Sequence, residues 1–416
     1  MVIVQKFGGT SVATAEAREV VAERVVGAVK EGYLPVVVVS AMGRGGDPYA
    51  TDTLIELARN VHRDTAPREM DLLISCGEII SSVIVANTLK KRDLDAMVLT
   101  GGQAGIITDG NFNNAIILRV QPDHLLRHID EGRIVVVCGF QGVTENGDVT
   151  TLGRGGSDTT AAALGAAVEA AVVDIYTDVD GIKTADPKMV PEARTIERMT
   201  YEEVAQIAVQ GAKVIHPRAV EICRRASIPL RIRSTFSESP GTLVAGAVEP
   251  GRKWPEIAAA RPVTAIAHLC PVAQFKVPAT TGEDGAGAGG RRLFRALAEA
   301  GISVDMITVT PEMNCFIVPE AVAERASAVV SSIGLEPGLK RGCGKVSVVG
   351  HGMTGRPGVM ADVSDALAGA GIPILQTCDS NTTISCLIPA AGIAAAMRSL
   401  HEKFSLGGNN RCLAGS

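Results

Sequence analysis

Four glycine-centred clusters carry most of the side chains in this sequence that could do chemistry. They read KFGGTS from residue 6, SAMG from residue 40, TLGRGGSD from residue 151 and TDVDGIKTADP from residue 177. Each places Lys, Arg, Asp or hydroxyl groups beside glycines, whose backbone N–H groups are open to an anion. All four fall at or near the ends of predicted strands, on the edge where open α/β sheets bind ligands. Together they predict a site for phosphate and a charged small molecule.

Lys6 is the strongest candidate for a phosphate ligand. It closes an apolar segment and precedes Gly8 and Gly9, so its ammonium would lie beside a turn of exposed N–H groups. The alternative is a solvated lysine at the end of a strand. Lys213, in the segment GAKVIHP before a short predicted strand, is a possible second phosphate lysine. His216 in the same segment is interpreted as structural rather than as a general base.

Two further side chains suit the two charged ends of an amino acid. Arg154 lies between glycines, where a guanidinium can hold a carboxylate through two parallel hydrogen bonds. Glu78, in SCGEII, could receive an ammonium, or it could simply begin a helix. Ser157 is expected at the N-cap of an Ala-rich helix with Asp158 in its first turn, which a purely structural helix start also explains. An Arg, a Glu and two lysines suggest an amino acid and a nucleotide as substrates.

Phosphoryl transfer between such substrates needs positioning, a metal and positive charge more than covalent help from the protein. The sequence contains no His-rich metal motif. We therefore expect Mg²⁺ held mostly by phosphates and water, with one Asp of the protein at most.

Alternating strands and helices must position these residues. The segments VVVVS and IVVVC are continuously apolar, which is typical of central strands in a parallel sheet. The alternation predicts an α/β domain with helices on both faces of a mostly parallel open sheet. The predicted strands cover residues 3–6, 35–40, 96–100, 134–138, 172–177 and 230–233, and the predicted helices cover residues 15–30, 53–62, 68–91, 122–131, 158–169 and 201–210.

The pattern changes at residues 246–262, where Pro, Gly and charged residues predict a linker. Beyond it, RALAEAGISVDM from residue 295 recurs as DALAGAGIPILQ from residue 365. Each copy follows an apolar strand, so we predict two small βαββαβ modules in tandem. The predicted domains are residues 1–245, 263–340 and 341–416.

Composition excludes several classes of protein. A chain of 416 residues suggests two or three domains. The formal net charge of −5 gives no basic surface for nucleic acid. No signal peptide or apolar run of membrane length is expected, and nine cysteines without a CxxC pair suggest free, buried thiols in a reducing cytosol. We predict a cytoplasmic protein that binds neither nucleic acid nor membrane.

The motifs resemble those of aspartate kinases (aspartokinases) over essentially the whole chain. VQKFGGTSV, VVVVSAMG, CGE, GFQG, TTLGRGGSDTTA, TDVDGI, TADP and GAKVIHP follow the family's order and spacing. QFKVP, ISVDMI, GKVSVVGHGM and PGV resemble its paired ACT domains, and SAMGRGGDPYATDTL and GIPILQTCDSNTTI resemble its diaminopimelate-responsive type I members from Gram-positive bacteria. The resemblance implies an amino acid kinase domain, two ACT domains and ATP-dependent phosphorylation of the β-carboxylate of L-aspartate. The product, 4-phospho-L-aspartate, opens the pathway to lysine, threonine, methionine and diaminopimelate.

The resemblance also implies roles for individual residues, of which Lys6, Arg154, Asp158 and Lys213 would be catalytic. The aspartate site would comprise Ser40, Glu78, Arg154 and Ser157, and the ATP site would comprise Lys6, Gly8, Gly9, Thr10, Ser11, Thr177, Asp178, Lys183, Asp186, Lys188 and Lys213. Ser303, Asp305 and Thr310 match effector-site segments of relatives. The effector is expected to be diaminopimelate, lysine or threonine, and the chain is expected to form a homodimer through its ACT domains.

Two departures from the family pattern stand out. Lys183 takes a position where many relatives carry an aromatic residue next to adenine, so we expect an altered contact with the base. The first repeat reads TTGEDGAGAGGRRLF where a Pro-Gly pair usually starts the ACT helix, whereas the second keeps RPGVM. We therefore expect a reshaped effector pocket in the first repeat.

Two other functions are open at this point. One is a kinase of the same fold that acts on glutamate, acetylglutamate or uridylate, but such kinases lack this tail and the complete TTLGRGGSDTT loop. The other is a non-catalytic, ACT-based amino acid sensor, against which the intact Lys6, Arg154, Asp158 and Lys213 argue.

Overall fold

The chain folds into two compact units in the computed structural model. The described residues are 1–211, 214–246, 262–279, 288–351, 353 and 356–408. The first unit comprises Met1–Ile182, Thr195–Ala208 and Lys213–Trp254, and the second comprises Lys183–Arg194, Val209–Ala212 and Pro255–Ser416. Most of the predicted linker, residues 247–261, lies outside the described residues. The boundaries of the three predicted domains stay a prediction.

Two sheets form the framework of the first unit. Its strands are β1 (Val2–Phe7), β2 (Leu34–Val39), β3 (Ala96–Leu99), β4 (Ile106–Thr108), β5 (Ile117–Val120), β6 (Ile134–Cys138), β7 (Gln141–Val143), β8 (Val149–Thr151), β9 (Val172–Thr177), β10 (Arg198–Thr200), β11 (Leu230–Ser234) and β12 (Thr242–Ala245). The larger sheet has the order β10-β12-β11-β9-β1-β2-β6-β3, and β1, β2 and β6 run parallel within it. The continuously apolar β2 and β6 are therefore central strands, as predicted. The smaller sheet, β5-β4-β7-β8, was not predicted, because its strands are only three or four residues long.

Helices pack against the larger sheet through apolar side chains. The helices before residue 247 are α1 (Gly9–Val12), α2 (Ala15–Lys30), α3 (Thr51–Val61), α4 (Pro67–Lys90), α5 (Asp123–Asp130), α6 (Gly156–Ala167), α7 (Tyr201–Val209) and α8 (Pro217–Ala226). Val21 and Val25 of α2, Leu89 of α4 and Val37 and Val39 of β2 share one buried cluster. The predicted helix over residues 15–30 coincides with α2, and its neighbours differ by a few residues at their ends.

The long helix α4 corrects one expectation from the sequence. It is 24 residues long and apolar enough, by length and composition, to cross a membrane. Half of its most apolar 18-residue stretch is buried inside the protein, however, and the buried side of the helix includes Asp71 and Glu78. A helix of this kind is a core helix that also carries polar groups for a site.

One sheet is shared by both repeats of the second unit. The strands and helices of this region are β13 (Ala265–Pro278), α9 (Ala288–Glu299), β14 (Asp305–Val309), β15 (Met313–Pro319), α10 (Ala323–Ser332), β16 (Gly338–Val349), α11 (Val359–Gly369), β17 (Gln376–Asp379), β18 (Thr383–Pro389) and α12 (Ile393–Lys403). The strand order is β14-β15-β13-β16-β18-β17. The first repeat has the predicted βαββαβ order.

The half of this sheet that belongs to the second repeat also contains the first part of β13, which lies before the rest of the first repeat in the sequence. Residues 265–269 of β13 pair with residues 345–349 of β16, and residues 274–276 pair with 338–340 beyond a bulge. The long strands β13 and β16 therefore serve both halves. The two repeats are interlocked in sequence, whereas the pattern predicted simple tandem modules.

The segment Lys183–Arg194 is part of the second unit although it follows β9 of the first. Ala185 and Val190 are buried in the apolar core around α11 and α12, together with Val363 and Leu400. This packing was not predicted from the sequence, because the segment's polar TADP motif indicates a surface turn.

Candidate active site

A cavity of about 1140 Å³ lies in the first unit. Residues from β1, the β2 loop, α4 and the start of α6 form its walls. The predicted site residues that line it are Lys6, Gly9, Ser40, Glu78, Arg154, Ser157 and Asp158. The structure thus brings together residues that are up to 152 positions apart in the sequence. The GRGGSD loop reaches the cavity from β8 of the smaller sheet, whereas the other three clusters follow strands of the larger sheet.

Lys6 and Asp158 form an ion pair at the wall of the cavity. Lys6 Nζ lies 2.7 Å from Asp158 Oδ1, and both side chains are largely buried. Asp158 Oδ2 also accepts a 3.3 Å hydrogen bond from the backbone N–H of His216. Asp158 lies in the first turn of the 12-residue helix α6, whose dipole favours an anion there. The carboxylate therefore holds the lysine ammonium in a fixed position.

Gly9 joins the first two glycine clusters through a close backbone approach. A Cβ atom at Gly9 would lie 2.7 Å from the carbonyl oxygens of both Ala41 and Gly43. The backbone N–H of Gly43 donates a 3.0 Å hydrogen bond to Gly9 O. Only glycine permits this spacing, so the KFGGTS turn and the SAMG loop are held as one surface.

Glu78 presents a buried carboxyl group to the cavity. It lies in the middle of α4, so the interpretation that it begins a helix is wrong. Its Oε1 atom accepts a 3.0 Å hydrogen bond from Ala41 N, and its Oε2 atom is buried without a hydrogen-bond partner among the described residues. Burial raises the pKa of Glu78 to about 8, although the hydrogen bond from Ala41 opposes this shift. A cation entering the cavity would satisfy Oε2 and favour the ionised form.

Arg154 comes from the glycine loop that precedes α6, and Ser157 lies at the start of that helix. Arg154 is exposed on the cavity wall, and no carboxylate of the described residues lies within ion-pair distance of it. The N-cap of α6 is Gly155, at a φ of 68°, rather than Ser157 as predicted. Ser157 instead lies in the first turn, where its hydroxyl accepts a 3.0 Å hydrogen bond from Ser40 Oγ. The two serines thus link the second and third clusters.

His216 has a structural role in this fold. Its Nδ1 atom accepts a 3.3 Å hydrogen bond from Arg218 N and caps α8, while burial lowers its pKa. No strand precedes α8 in the described residues 214–216, which corrects that part of the prediction. Lys213 lies outside the described residues.

The remaining nucleotide residues are less tightly assembled. The hydroxyl of Ser11 is buried and bonds Thr235 Oγ1 at 2.7 Å, so only the backbone of Ser11 is available to a ligand. Gly8 and Thr10 belong to the same turn but do not line the cavity. After β9, Thr177 Oγ1 donates to Asp178 Oδ1 at 3.2 Å, and Asp178 forms a 2.6 Å ion pair with Arg44 of the cavity wall.

Three predicted ATP residues and three predicted effector residues lie in the second unit. Asp186 Oδ1 accepts a 2.9 Å hydrogen bond from the backbone N–H of Lys188, which closes a local turn after Lys183. Asp305 pairs with the buried Lys345, and Thr310 bonds Met313 within a turn, while Ser303 is exposed.

Sequence reasoning missed two residues of this region. Arg44 is flanked by glycines as Arg154 is, and that shared pattern would have indicated it. Asp71 lies seven residues before Glu78 on the buried side of α4, where an acidic residue in an otherwise apolar pattern is the available signal. The cysteines of the described part of the chain are free, as predicted, but Cys76 and Cys270 are exposed rather than buried.

Comparison with known proteins shows which family the chain belongs to. Residues 1–234 match the amino acid kinase family, and residues 339–402 match an ACT domain. The chain is 47% identical to aspartokinase 1 of Bacillus subtilis (strain 168) over 405 residues, covering 97% of this chain and 99% of that protein. The chain belongs to the aspartokinase family.

Other aspartokinases are similar to this chain in sequence and in structure. The Mycolicibacterium smegmatis aspartokinase is 44% identical over 425 residues, covering 99% of this chain and 98% of that one. The crystal structure of E. coli aspartokinase III with aspartate and ADP, in its R-state, has a TM-score of 0.78 at 25% identity and covers 97% of this chain and 99% of that chain. The T-state structure of the same enzyme, with lysine and aspartate, has a TM-score of 0.74 at 26% identity with the same coverage. The predicted aspartokinase fold with ACT domains and the predicted ATP-dependent aspartate kinase activity are confirmed.

Proposed function

We propose that this aspartokinase transfers the γ-phosphoryl group of ATP to the β-carboxylate of L-aspartate inside the cavity of the first unit. The products are 4-phospho-L-aspartate and ADP. The observation that carries this assignment is the Lys6–Asp158 ion pair, which shares one cavity wall with Glu78 and Arg154. One site thus offers a lysine for phosphate, a carboxyl group for an ammonium and a guanidinium that can donate hydrogen bonds to a carboxylate.

The acceptor is held at its two non-reacting groups. The ammonium of aspartate binds Glu78 Oε2, the buried oxygen that otherwise has no hydrogen-bond partner among the described residues. The α-carboxylate binds Arg154, whose guanidinium can donate two parallel hydrogen bonds. Ser40 and Ser157, joined by their hydroxyls, lie on the same wall for the reacting carboxylate.

Transfer needs no general base, because the β-carboxylate is already ionised at pH 7. A carboxylate oxygen forms a bond to the γ-phosphorus while the bond from that phosphorus to the β-phosphate oxygen of ADP breaks. Lys6 neutralises the charge that these oxygens share, and Asp158 keeps Lys6 in position between nucleotide and acceptor. Catalysis is therefore mainly positioning and electrostatic stabilisation.

The nucleotide assignment rests on the resemblance to relatives. The backbone of Gly8, Gly9, Thr10 and Ser11 would cradle the γ-phosphoryl group, and Lys213 would neutralise the phosphates beside Lys6. The other proposed nucleotide residues are Thr177, Asp178, Lys183, Asp186 and Lys188.

We propose that Mg²⁺ arrives with the nucleotide and is held mostly by phosphates and water. No group of three or more His, Cys, Asp or Glu side chains that could hold a metal occurs among the described residues. Mg²⁺ in kinases keeps several waters and binds substrate phosphates with one or two carboxylates. Asp178 is the acidic residue of the predicted nucleotide set that directly follows β9. When bound, the ion would neutralise phosphate charge.

The ACT region makes feedback by an amino acid the proposed form of regulation. Diaminopimelate, lysine and threonine are the candidate effectors, and Ser303, Asp305 and Thr310 are the proposed effector residues. Effector binding would bias the conformation of the active site, which is a coupling between two sites. We also propose a cytoplasmic homodimer formed through the ACT domains.

A coupled ADP-release assay tests the activity directly. Turnover should require L-aspartate, and L-glutamate should not replace it. Hydroxylamine added to the reaction should trap an acyl phosphate as a hydroxamate, which separates transfer to a carboxylate from simple ATP hydrolysis. ADP release without hydroxamate would contradict the proposal. The same assay with each candidate effector should show inhibition by at least one, and insensitivity to all three would refute the regulatory part.

A further inference from the structure

A second buried carboxylate on α4 lies close to the acceptor site. The side chain of Asp71 is fully buried, and it precedes Glu78 by seven residues, or two helical turns. Two turns place the residues on the same side of the helix, about 10.5 Å apart along its axis. One rigid helix therefore carries both carboxylates.

Asp71 uses both of its oxygens to hold two separate segments. Oδ2 accepts a hydrogen bond of 2.8 Å from Thr151 N, and Oδ1 accepts one of 2.7 Å from Thr151 Oγ1. The backbone N–H of Asn113 donates to both oxygens, at 3.0 and 2.9 Å. All of these groups are donors, so the site requires two acceptor oxygens.

The two segments lead directly to the Arg154 loop. Thr151 ends β8 three residues before Arg154, and both Thr151 and Asn113 line the cavity. A Cβ atom at Gly153, whose φ is 73°, would lie 3.1 Å from Asn113 O, so this loop rests against the Asn113 backbone. Asp71 thus fixes both the start of the loop and the surface on which the loop lies.

We propose that Asp71 is a positioning residue for the acceptor, because it holds Arg154 at the distance from Glu78 that the α-carboxylate and ammonium of L-aspartate require. The inference rests on the proposed roles of Arg154 and Glu78. Asp71 itself does not touch the substrate. It acts through Thr151 and Asn113, so its loss should weaken recognition of aspartate and leave the nucleotide unaffected.

Three variants test this proposal by steady-state kinetics. Asp71→Asn replaces one acceptor oxygen by a donor that faces N–H groups, and should raise the KM for aspartate about tenfold or more while changing the KM for ATP less than about twofold. Thr151→Val removes only the hydroxyl donor and should raise the KM for aspartate about threefold to fivefold. Thr150→Val is the matched control on the same strand, because its buried hydroxyl bonds Thr108 and not Asp71. It should leave both KM values within about twofold of wild type.

A double-mutant cycle with Arg154→Lys tests whether Asp71 acts on aspartate binding through Arg154. If Asp71 acts through Arg154, the increase that Asp71→Asn causes in the KM for aspartate should largely disappear in the Arg154→Lys background. Additive effects, an equal rise of both KM values, or equal behaviour of Thr151→Val and Thr150→Val would overturn the proposal. Thr151→Val keeps the test available if Asp71→Asn does not fold.

If Arg154→Lys alone leaves the KM for aspartate unchanged, the proposed role of Arg154 has failed, and the role of Asp71 fails with it. If Arg154→Lys has its effect and the Asp71 variants do not, only the inference about Asp71 has failed.

Discussion

The acceptor half and the nucleotide half of the proposed site are built differently. Most of the proposed acceptor residues bond one another or the neighbouring backbone, since Glu78 accepts from Ala41 N and Ser40 donates to Ser157, whereas Arg154 is exposed on the cavity wall. Three of the proposed nucleotide residues lie on Lys183–Arg194, a segment whose apolar side chains pack in the second unit. All of the proposed acceptor residues therefore belong to the first unit, whereas part of the proposed nucleotide set belongs to the second.

The largest effect is expected at Lys6, where the two halves meet. Lys6→Met should lower kcat about 10²–10³-fold, because the charge that stabilises the transferring group is lost. The measurement is ADP release with both substrates saturating. Lys91→Met is the control, since the ion pair of Lys91 with Glu19 is exposed and the lysine lies outside the cavity lining. A Lys6→Met enzyme with wild-type kcat would show that the transfer point lies elsewhere.

An intermediate effect is expected at Glu78, which belongs only to the acceptor half. Glu78→Gln keeps an acceptor for Ala41 N but removes the charge that binds an ammonium, so the KM for aspartate should rise about 10–100-fold with little change for ATP. A larger change in the KM for ATP than in that for aspartate would contradict the division into two halves.

The same residue predicts a dependence on pH. Because the pKa of Glu78 is about 8 in the folded protein, the free enzyme holds a proton there at pH 7, and wild-type affinity for aspartate should rise between pH 6.5 and 8.5. The pKa is raised on folding, so the stability contribution of Glu78 is complete below its ordinary pKa and is lost as the pH rises through about 8. In Glu78→Gln the pH dependence of affinity should be absent, and its melting temperature at pH 8 should exceed that of the wild type. A wild-type affinity that is flat over this range would exclude Glu78 as the titrating group.

The smallest effect is expected where the Lys183–Arg194 segment is anchored. Thr184 Oγ1 bonds the buried His401 Nε2 at 2.9 Å and accepts from Arg194 N at 3.1 Å. Thr184→Val should raise the KM for ATP about twofold to fivefold and change that for aspartate less, because only the segment with proposed nucleotide residues is loosened. Ser399→Ala is the control, since it removes a hydrogen bond of α12 that does not involve this segment. An effect on aspartate alone would reverse the assignment of the two halves.

Much of the chemistry could be predicted from the sequence because local motifs indicate it. Glycine clusters with Lys6, Arg154 and Asp158 predict anion and carboxylate binding from residue type alone, and the apolar β2 and β6 predict a parallel sheet. Their order along the chain was enough to indicate the aspartokinase family. Short strands such as β7 and β8 were not predicted, because three residues carry too little periodicity to distinguish a strand from a loop.

The tertiary structure decided what depends on distant partners. The raised pKa of Glu78 comes from burial, and the role of Asp71 comes from donors more than 40 residues away, so no local pattern encodes either. No local pattern encodes the pairing of β13 with β16, which serve both repeats. Nor does one encode the packing of the apolar side chains of Lys183–Arg194 in the core of the second unit. Residue types and spacing determined which groups this protein brings to its chemistry. Long-range packing alone decided which of them are buried, paired and held in place, because burial and pairing are properties of neighbours in space.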